Sequence, residues 1–249
     1  MAGRGGKSMK TVDPLLKNEY SKRVYARLGL RKPFATQHQT RHYRLPVLQE
    51  NGGHVVMRPY SGPEIPSTEW TSLEYSTPPT DPTTWFAPLA TANGENILRG
   101  FWDFGKPDLD GIWTSNAARA PGLVRYVDSL GNRFGRIQVI RQEPTSIREA
   151  RWGLHLDDNN RLNPMVSGWV VRLWFQLTDD PDSALVLRPG QFDRANEVRV
   201  PLHKGAQILI DSEAVFHSGY HTGPDQRYAL IVSLESTEHL DDWVRSRLP

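Results

Sequence analysis

The sequence predicts a mainly β domain of the sandwich or barrel class, and three observations support this prediction. Apolar and polar residues alternate after about residue 131, for example over 136–141, as they do in half-buried strands. Turn residues such as Pro189-Gly190 and Lys204-Gly205 separate the short apolar runs that follow. The 249 residues include eight Trp, eight Tyr and eight Phe, which is ample material for one large β core.

The sequence of the N-terminal region predicts a basic arm followed by irregular structure. Basic residues greatly outnumber acidic ones between residues 4 and 41, and we expect residues 1–12 to be disordered. Asp13 followed by Pro14 predicts a short helix that runs to about residue 25. Pro and Thr are dense over 63–88, which predicts an ordered loop or an extended covering segment.

The sequence of the remaining residues predicts the β core and two helices that pack beside it. One helix over 120–130 ends at Gly131, and another over 237–247 begins at a Thr cap. We therefore assign 1–95 to the N-terminal region and 96–249 to the core, together forming one compact domain. We predict strands over 136–141, 152–157, 168–177, 184–188, 197–201, 207–211 and 226–234.

Composition restricts the class of protein. The chain has no Cys, so it can form neither a disulfide nor a thiolate metal site, and this fits a reducing compartment. No apolar segment follows the basic start, and no apolar run approaches the roughly 20 residues that span a bilayer. The net charge of +2 gives no global field for nucleic acid, although the basic arm leaves an acidic partner open. We expect a cytoplasmic protein with neither a membrane nor a nucleic-acid partner.

The most informative motif is His155-Leu156-Asp157, which His217 and Arg227 follow at a distance. Side chains two residues apart on a strand point the same way, so His155 and Asp157 can face one site. His217 from a distant part of the chain can complete a face of two nitrogens and one oxygen, the set that holds non-haem Fe(II) with open positions. Arg227 lies ten positions later in an apolar run, where a buried cation needs an anionic partner.

Several alternatives to this interpretation stay open. Asp158 competes with Asp157 for the metal, but the period of two directs it to the opposite face. His221 competes with His217, and it could instead be a group behind the ligands, a substrate contact or a surface residue. Zinc is the main alternative metal, because three protein ligands and an open position also describe catalytic zinc sites. No His-Glu-x-x-His spacing is present to support hydrolysis.

These residues resemble those of the Fe(II)/2-oxoglutarate dioxygenases, and within them the aspartyl/asparaginyl β-hydroxylase-type group, which includes bacterial proline 3-hydroxylases. The resemblance covers roughly residues 122–235. It implies a double-stranded β-helix (jelly-roll or cupin-like) core with flanking helices, Fe(II) and O2 at the metal site, and 2-oxoglutarate as cosubstrate. The residues that carry the resemblance are His155-Leu156-Asp157, the strand 170–177, the stretch 204–211, His217 and Arg227.

The resemblance also implies roles for two arginines and a class of substrate. Arg227 would hold the distal carboxylate of 2-oxoglutarate, and Arg172 would face the pocket and help to hold a carboxylate, with Leu173 pointing outwards and Trp174 inwards. The animal aspartyl hydroxylases lack the metal carboxylate that Asp157 provides here, which favours the small-molecule hydroxylases. We expect hydroxylation of an aliphatic C–H in a small amino-acid-like substrate. A hydroxylase of peptide or protein side chains and a non-catalytic cupin-like binding protein are the alternatives.

Overall fold

The structure, a computed structural model, describes residues 45–78, 83–163 and 168–249. The predicted helix over 14–25 and the basic arm lie outside these ranges. The helices are α1 (Pro46–Glu50), α2 (Thr68–Thr71), α3 (Pro121–Asp128), α4 (Ile147–Trp152) and α5 (Glu238–Arg245), with 3-10 turns at Phe101–Phe104 and Ala117–Arg119. The strands are β1 (His54–Met57), β2 (Thr84–Thr91), β3 (Ile112–Trp113), β4 (Phe134–Gln142), β5 (Val170–Gln176), β6 (Ala184–Arg188), β7 (Val198–Pro201), β8 (Gln207–Ile210), β9 (Phe216–Tyr220) and β10 (Arg227–Glu235).

The strands form two antiparallel sheets. The large sheet has the order β1-β8-β5-β10-β4-β2-β3, and the small sheet has the order β7-β6-β9. His155 extends the small sheet by an isolated bridge to His217 in β9. From β4 to β10 the chain crosses repeatedly between the two sheets, which is the connectivity of a double-stranded β-helix. The predicted fold class is therefore confirmed.

The central strands of the large sheet are buried on both faces, because each face packs on a different layer. Leu173 and Phe175 of β5 belong to an outer core that includes Leu123 of α3 and Leu240 of α5. Trp174 belongs to an inner core between the two sheets. The outward Leu173 and inward Trp174 match the prediction for β5. Truncation of Leu173 to Ala would cost about 2–5 kcal/mol of stability, because it opens a cavity at the centre of the outer core.

The segment before the metal motif differs from its prediction. We predicted a strand over 152–157, but α4 occupies Ile147–Trp152 and His155 contributes only an isolated bridge. The helix begins with a reciprocal cap: Glu149 N donates to Ser146 Oγ at 3.2 Å, and Ser146 N donates to Glu149 Oε2 at 2.6 Å. This Ser-x-x-Glu spacing is a sequence signature of a helix start, and the strand prediction overlooked it.

Several other predicted elements have a clear outcome. The predicted strands from 168 onwards correspond to β5, β6, β7, β8 and β10. His217 lies within β9, which is not among the predicted strands. Two strands of the predicted N-terminal region, β1 and β2, pair with β8 and β4 in the large sheet. The division at residue 95 stays a prediction, but the sheet crosses it.

Candidate metal centre

The structure brings the three predicted metal ligands together at one end of the small sheet. One ligand atom from each of His155, Asp157 and His217 lies within 4.8 Å of the other two. His155 Nε2 is 3.7 Å from Asp157 Oδ1, and His217 Nε2 is 3.8 Å from Asp157 Oδ2. Spacings of this size fit atoms that each lie about 2.0–2.2 Å from a shared first-row metal ion.

The backbone aims both imidazole rings at this site. The backbones of His155 and His217 bond to each other reciprocally, with N–H to carbonyl distances of 3.0 and 3.3 Å. His155 Nδ1 lies 2.8 Å from Gly153 O, and His217 Nδ1 lies 3.1 Å from Val215 O. A carbonyl oxygen only accepts, so each Nδ1 carries the proton and donates. Each Nε2 is then left with a lone pair that can bind a metal.

His217 is suited to be a neutral ligand. Burial first, and the neighbouring His155 second, lower the pKa of His217 to about 4, against the opposing effect of Asp157. The imidazole is therefore neutral near pH 7, which is the form that a metal ion requires. The two competing residues, Asp158 and His221, are not members of the ligand group found in the described part of the chain.

Asp157 is held by Arg172 and Asn159. Arg172 Nε lies 3.5 Å from Asp157 Oδ2, and the terminal nitrogen of Arg172 donates to Asn159 Oδ1 at 2.6 Å. Asn159 Nδ2 in turn lies 3.4 Å from Asp157 Oδ2. Burial lowers the pKa of Arg172, and the negative charge of Asp157 raises it again. Arg172 therefore touches the carboxylate that faces the metal site.

Arg227 is buried at the other end of the inner face of the large sheet. Its terminal nitrogen NH2 donates to Gln142 Oε1, and its guanidinium carbon lies 5.0 Å from the centre of the Trp174 ring. Its Nε and NH1 atoms are buried without a hydrogen-bond partner among the residues that the structure describes. Burial lowers the pKa of Arg227 to about 9, with Asp180 opposing the shift, so the group stays charged near pH 7. A buried cation with two unused donors is costly unless an anion binds there.

Gly219 connects Arg227 to the metal site, and the sequence analysis did not identify it. It lies two residues after His217 on β9, so both residues face the same side of the strand. Gln142 Nε2 donates to Gly219 O at 3.1 Å. A Cβ atom at position 219 would overlap the Arg227 guanidinium and Gln142 Oε1. A glycine inside a strand is the signal that could have indicated this close approach.

His221 has a structural position. It is buried, and its Nδ1 lies 2.7 Å from Asp180 Oδ2 and 2.9 Å from Ser183 Oγ. Its Nε2 contacts the backbone carbonyl of Asp225. The possibility of a surface residue is therefore wrong, and these contacts join the loop before β6 to the loop after β9.

Comparisons with known proteins leave the family undetermined. No protein-family model matches the sequence, and no curated protein matches it. The chain is similar in structure to an oxidoreductase of the 2OG-Fe(II) oxygenase family from Burkholderia pseudomallei, with 16% identity, a TM-score of 0.49 and coverage of 76% of this chain and 87% of that one.

Two further solved structures are similar to the chain. One is a prolyl hydroxylase from Trichoplax adhaerens in complex with a hypoxia inducible factor peptide, with 15% identity, a TM-score of 0.46 and coverage of 85% and 97%. The other is HygX from Streptomyces hygroscopicus with nickel, 2-oxoglutarate and hygromycin B bound, with 12% identity, a TM-score of 0.41 and coverage of 81% and 86%.

Proposed function

We propose that the chain is an Fe(II)- and 2-oxoglutarate-dependent hydroxylase of an aliphatic C–H in a carboxylate-bearing small molecule, most simply an amino acid or a derivative of one. The observation that carries this proposal is the combination of the three ligands His155, Asp157 and His217 with Arg227, a buried cation that keeps two unused donors. A metal face alone fits many reactions, whereas a metal face beside an anion site fits a metal enzyme with an anionic cosubstrate.

The ligand set fits iron. Two imidazole nitrogens and one carboxylate oxygen on one side of an ion leave positions open for other molecules, as in non-haem Fe(II) oxygenases. Bound iron, together with 2-oxoglutarate and O2, would supply the oxidising chemistry that inserts an oxygen atom into a C–H bond. The same three ligands could hold zinc, so metal identity is part of the test.

Arg227 supplies the binding site for the distal carboxylate of 2-oxoglutarate. Its planar guanidinium can offer two parallel N–H donors to a carboxylate, which sets the direction of the ligand as well as its affinity. Gln142 holds one terminal nitrogen, and the face of Trp174 covers the group. The unpaired Nε and NH1 atoms lie on opposite edges of the guanidinium, so a carboxylate held by two parallel donors would use one of them together with the second hydrogen of NH2.

Arg172 lies behind the metal carboxylate. Its contacts to Asp157 and Asn159 support the metal site directly. The sequence-based assignment of Arg172 to a bound carboxylate stays a prediction. The inner wall between Arg172 and Arg227 includes Trp174, Ala229 and Ile231, which suits the aliphatic part of a substrate.

Aerobic incubation with Fe(II), 2-oxoglutarate and a panel of amino acids and amino-acid derivatives tests the proposal. We expect 2-oxoglutarate to be converted to succinate, and one panel member to gain the mass of one oxygen atom. His155→Ala should lose both signals, whereas His203→Ala, which changes an exposed histidine, should keep them. Turnover only with peptides would favour a protein hydroxylase. Binding of metal and 2-oxoglutarate without any turnover would favour a non-catalytic cupin-like protein.

The location of the protein stays a prediction. None of the helices in the described ranges combines the length and the apolar character that a membrane crossing requires.

A further inference from the structure

A β-bulge lies at the end of β4 nearest to the metal motif. Along β10 the pairing advances from Val232 to Leu234, while along β4 it moves from Ile137 to Phe134, so β4 contains one extra residue there. Ile137 belongs to the outer core and Phe134 packs against it, which leaves Gly135 and Arg136 as the displaced pair. Bulges of this kind often redirect a side chain beside a functional site.

The bulge is held by Asp108. Its Oδ1 accepts from the backbone N–H of Arg136 at 2.7 Å, and its Oδ2 accepts from Ser233 Oγ at 3.2 Å. Ser233 is the register partner of Arg172 on β5, so the bulge lies beside the arginine that contacts the metal carboxylate. Both oxygens of this buried acid therefore bond to groups other than the Arg136 guanidinium.

The guanidinium of Arg136 has no partner within residues 45–78, 83–163 and 168–249. It forms neither a hydrogen bond nor an ion pair there, and its Nε atom is fully buried. Its charge lies close enough to Arg172 to lower the pKa of that group. Gln138, two residues further along β4, is buried, and its side chain also forms no hydrogen bond with a described residue. Unused polar groups thus gather at this end of the inner face.

This polar end is well separated from Arg227. Arg227 and Ser233 lie six positions apart on β10, which corresponds to about 20 Å along a strand. Between them lie Ala229 and Ile231, both members of the apolar inner core. The inner face therefore has two cationic ends with an apolar middle, and each end suits a different anion.

We propose that Arg136, assisted by the Gln138 amide, binds an oxyanion of the primary substrate, a carboxylate or a phosphate, and so directs the substrate's aliphatic carbons towards the metal face. This inference deepens the proposed function and rests on it. Arg172 remains with Asp157, and Arg227 remains with the cosubstrate. The substrate class is then a small aliphatic molecule with an oxyanion at the end remote from the reacting carbon.

Calorimetric titrations of the full chain, loaded with Ni(II) and saturated with 2-oxoglutarate, test this site. The probes are hexanoate for a carboxylate, propyl phosphate for a phosphate and hexylamine as the cationic control. We expect at least one of the two anions to bind and hexylamine not to bind. Arg136→Gln should weaken binding of that anion by about tenfold or more, since hydrogen bonds to charged groups are lost. Arg136→Lys should lose less, and Gln138→Leu should cost about threefold.

Controls separate this inference from the proposed function. Arg125→Gln, which changes an exposed arginine on α3, should leave every affinity unchanged. Arg136→Gln should still bind 2-oxoglutarate as tightly as the unaltered chain does, which also shows that the variant folds. Failure of the unaltered chain to bind 2-oxoglutarate would contradict the proposed function. In that event, the effect of Arg136→Gln on anion binding would still show whether Arg136 forms an anion site.

The inference is overturned if Arg136→Gln binds the anion as well as the unaltered chain, or if neither anion binds. The relative affinity for hexanoate and propyl phosphate identifies which oxyanion the substrate carries. Repetition in an Arg227→Gln background guards against binding at the other cationic end. An anion site at Arg136 persists in that background, whereas an anion bound at Arg227 is lost.

Discussion

Arg172 and Arg227 are both buried arginines on the inner face of the large sheet, yet the protein treats them differently. Burial lowers the pKa of each. Arg172 reaches Asp157 and Asn159, so its charge is compensated within the protein. Among the described residues, Arg227 contacts a neutral amide and an aromatic face, Asp180 acts on its charge without a hydrogen bond or an ion pair, and two donors are unused. A compensated cation supports a structure, whereas an uncompensated one indicates a binding site for an anion from outside the chain.

The largest expected effect concerns the metal face on which both roles depend. We expect His217→Ala to abolish metal binding and turnover, because the remaining nitrogen and carboxylate no longer enclose the ion. Metal content by mass spectrometry and succinate formation measure the two losses. His203→Ala is the matched control on an exposed histidine. If the His217→Ala protein still bound one iron ion per chain, His217 would not be a metal ligand and the proposed metal centre would be wrong.

The next effect separates the uncompensated arginine from the compensated one. Arg227→Gln should weaken 2-oxoglutarate binding by about 30-fold or more, since loss of one partner of a buried charge pair costs about 2–5 kcal/mol. Arg227→Lys should lose less because it keeps the charge. Calorimetry on metal-loaded protein gives the affinity, and metal content should stay unchanged. If both variants bound 2-oxoglutarate as tightly as the unaltered chain does, Arg227 would not form the anion site.

Arg172→Gln should weaken metal binding and leave 2-oxoglutarate binding unchanged, which is the reverse of the effect expected for Arg227→Gln. Residues that hold a metal ligand typically contribute about 10- to 100-fold to metal affinity, and Arg172 contacts Asp157 directly. We therefore expect weaker iron binding in a competition titration with a chelator. Once the variant is saturated with metal, its 2-oxoglutarate affinity should be close to that of the unaltered chain. If metal affinity is unchanged and 2-oxoglutarate affinity collapses, the two arginines share one role and the comparison fails.

The smallest effect comes from Gly219→Ala. The added methyl group would press on the Arg227 guanidinium and on Gln142, and overpacking of this kind costs about 1–3 kcal/mol. We expect a several-fold rise in the 2-oxoglutarate requirement with unchanged metal content. Gly190→Ala is the control, because its nearest neighbour atom would lie at an ordinary 3.7 Å. Unchanged cosubstrate affinity in Gly219→Ala would show that Arg227 can move aside freely.

Much of the fold could be predicted from the sequence where the local pattern and the tertiary structure agree. The strands from β5 onwards carry apolar runs bounded by turn residues, and their prediction needed no long-range information. The candidate ligand set came partly from the spacing of His155 and Asp157 and partly from the family resemblance, which singled out His217 before Arg227, and metal binding by these residues stays a prediction. The convergence of these residues is what the structure adds.

The remaining features depend on contacts that the local pattern does not carry. His217 and Gly219 have little strand propensity, and β9 forms because it pairs with β6. The position of Arg136 depends on a bulge that only the pairing with β10 reveals. The contact of Arg172 with Asp157 joins two segments through a side chain, and an alternating pattern predicts only the direction in which Arg172 points.

The reciprocal backbone bonds between His155 and His217 have a thermodynamic consequence. They join two segments 62 positions apart in the chain (217 minus 155) at the edge of the small sheet. A metal ion held by both imidazoles would act as a clip that the unfolded chain cannot form, so binding would stabilise the folded protein by mass action. At 100 times the dissociation constant this linkage amounts to about 2.7 kcal/mol. The supply of metal would then affect the stability of the folded protein as well as its catalytic activity.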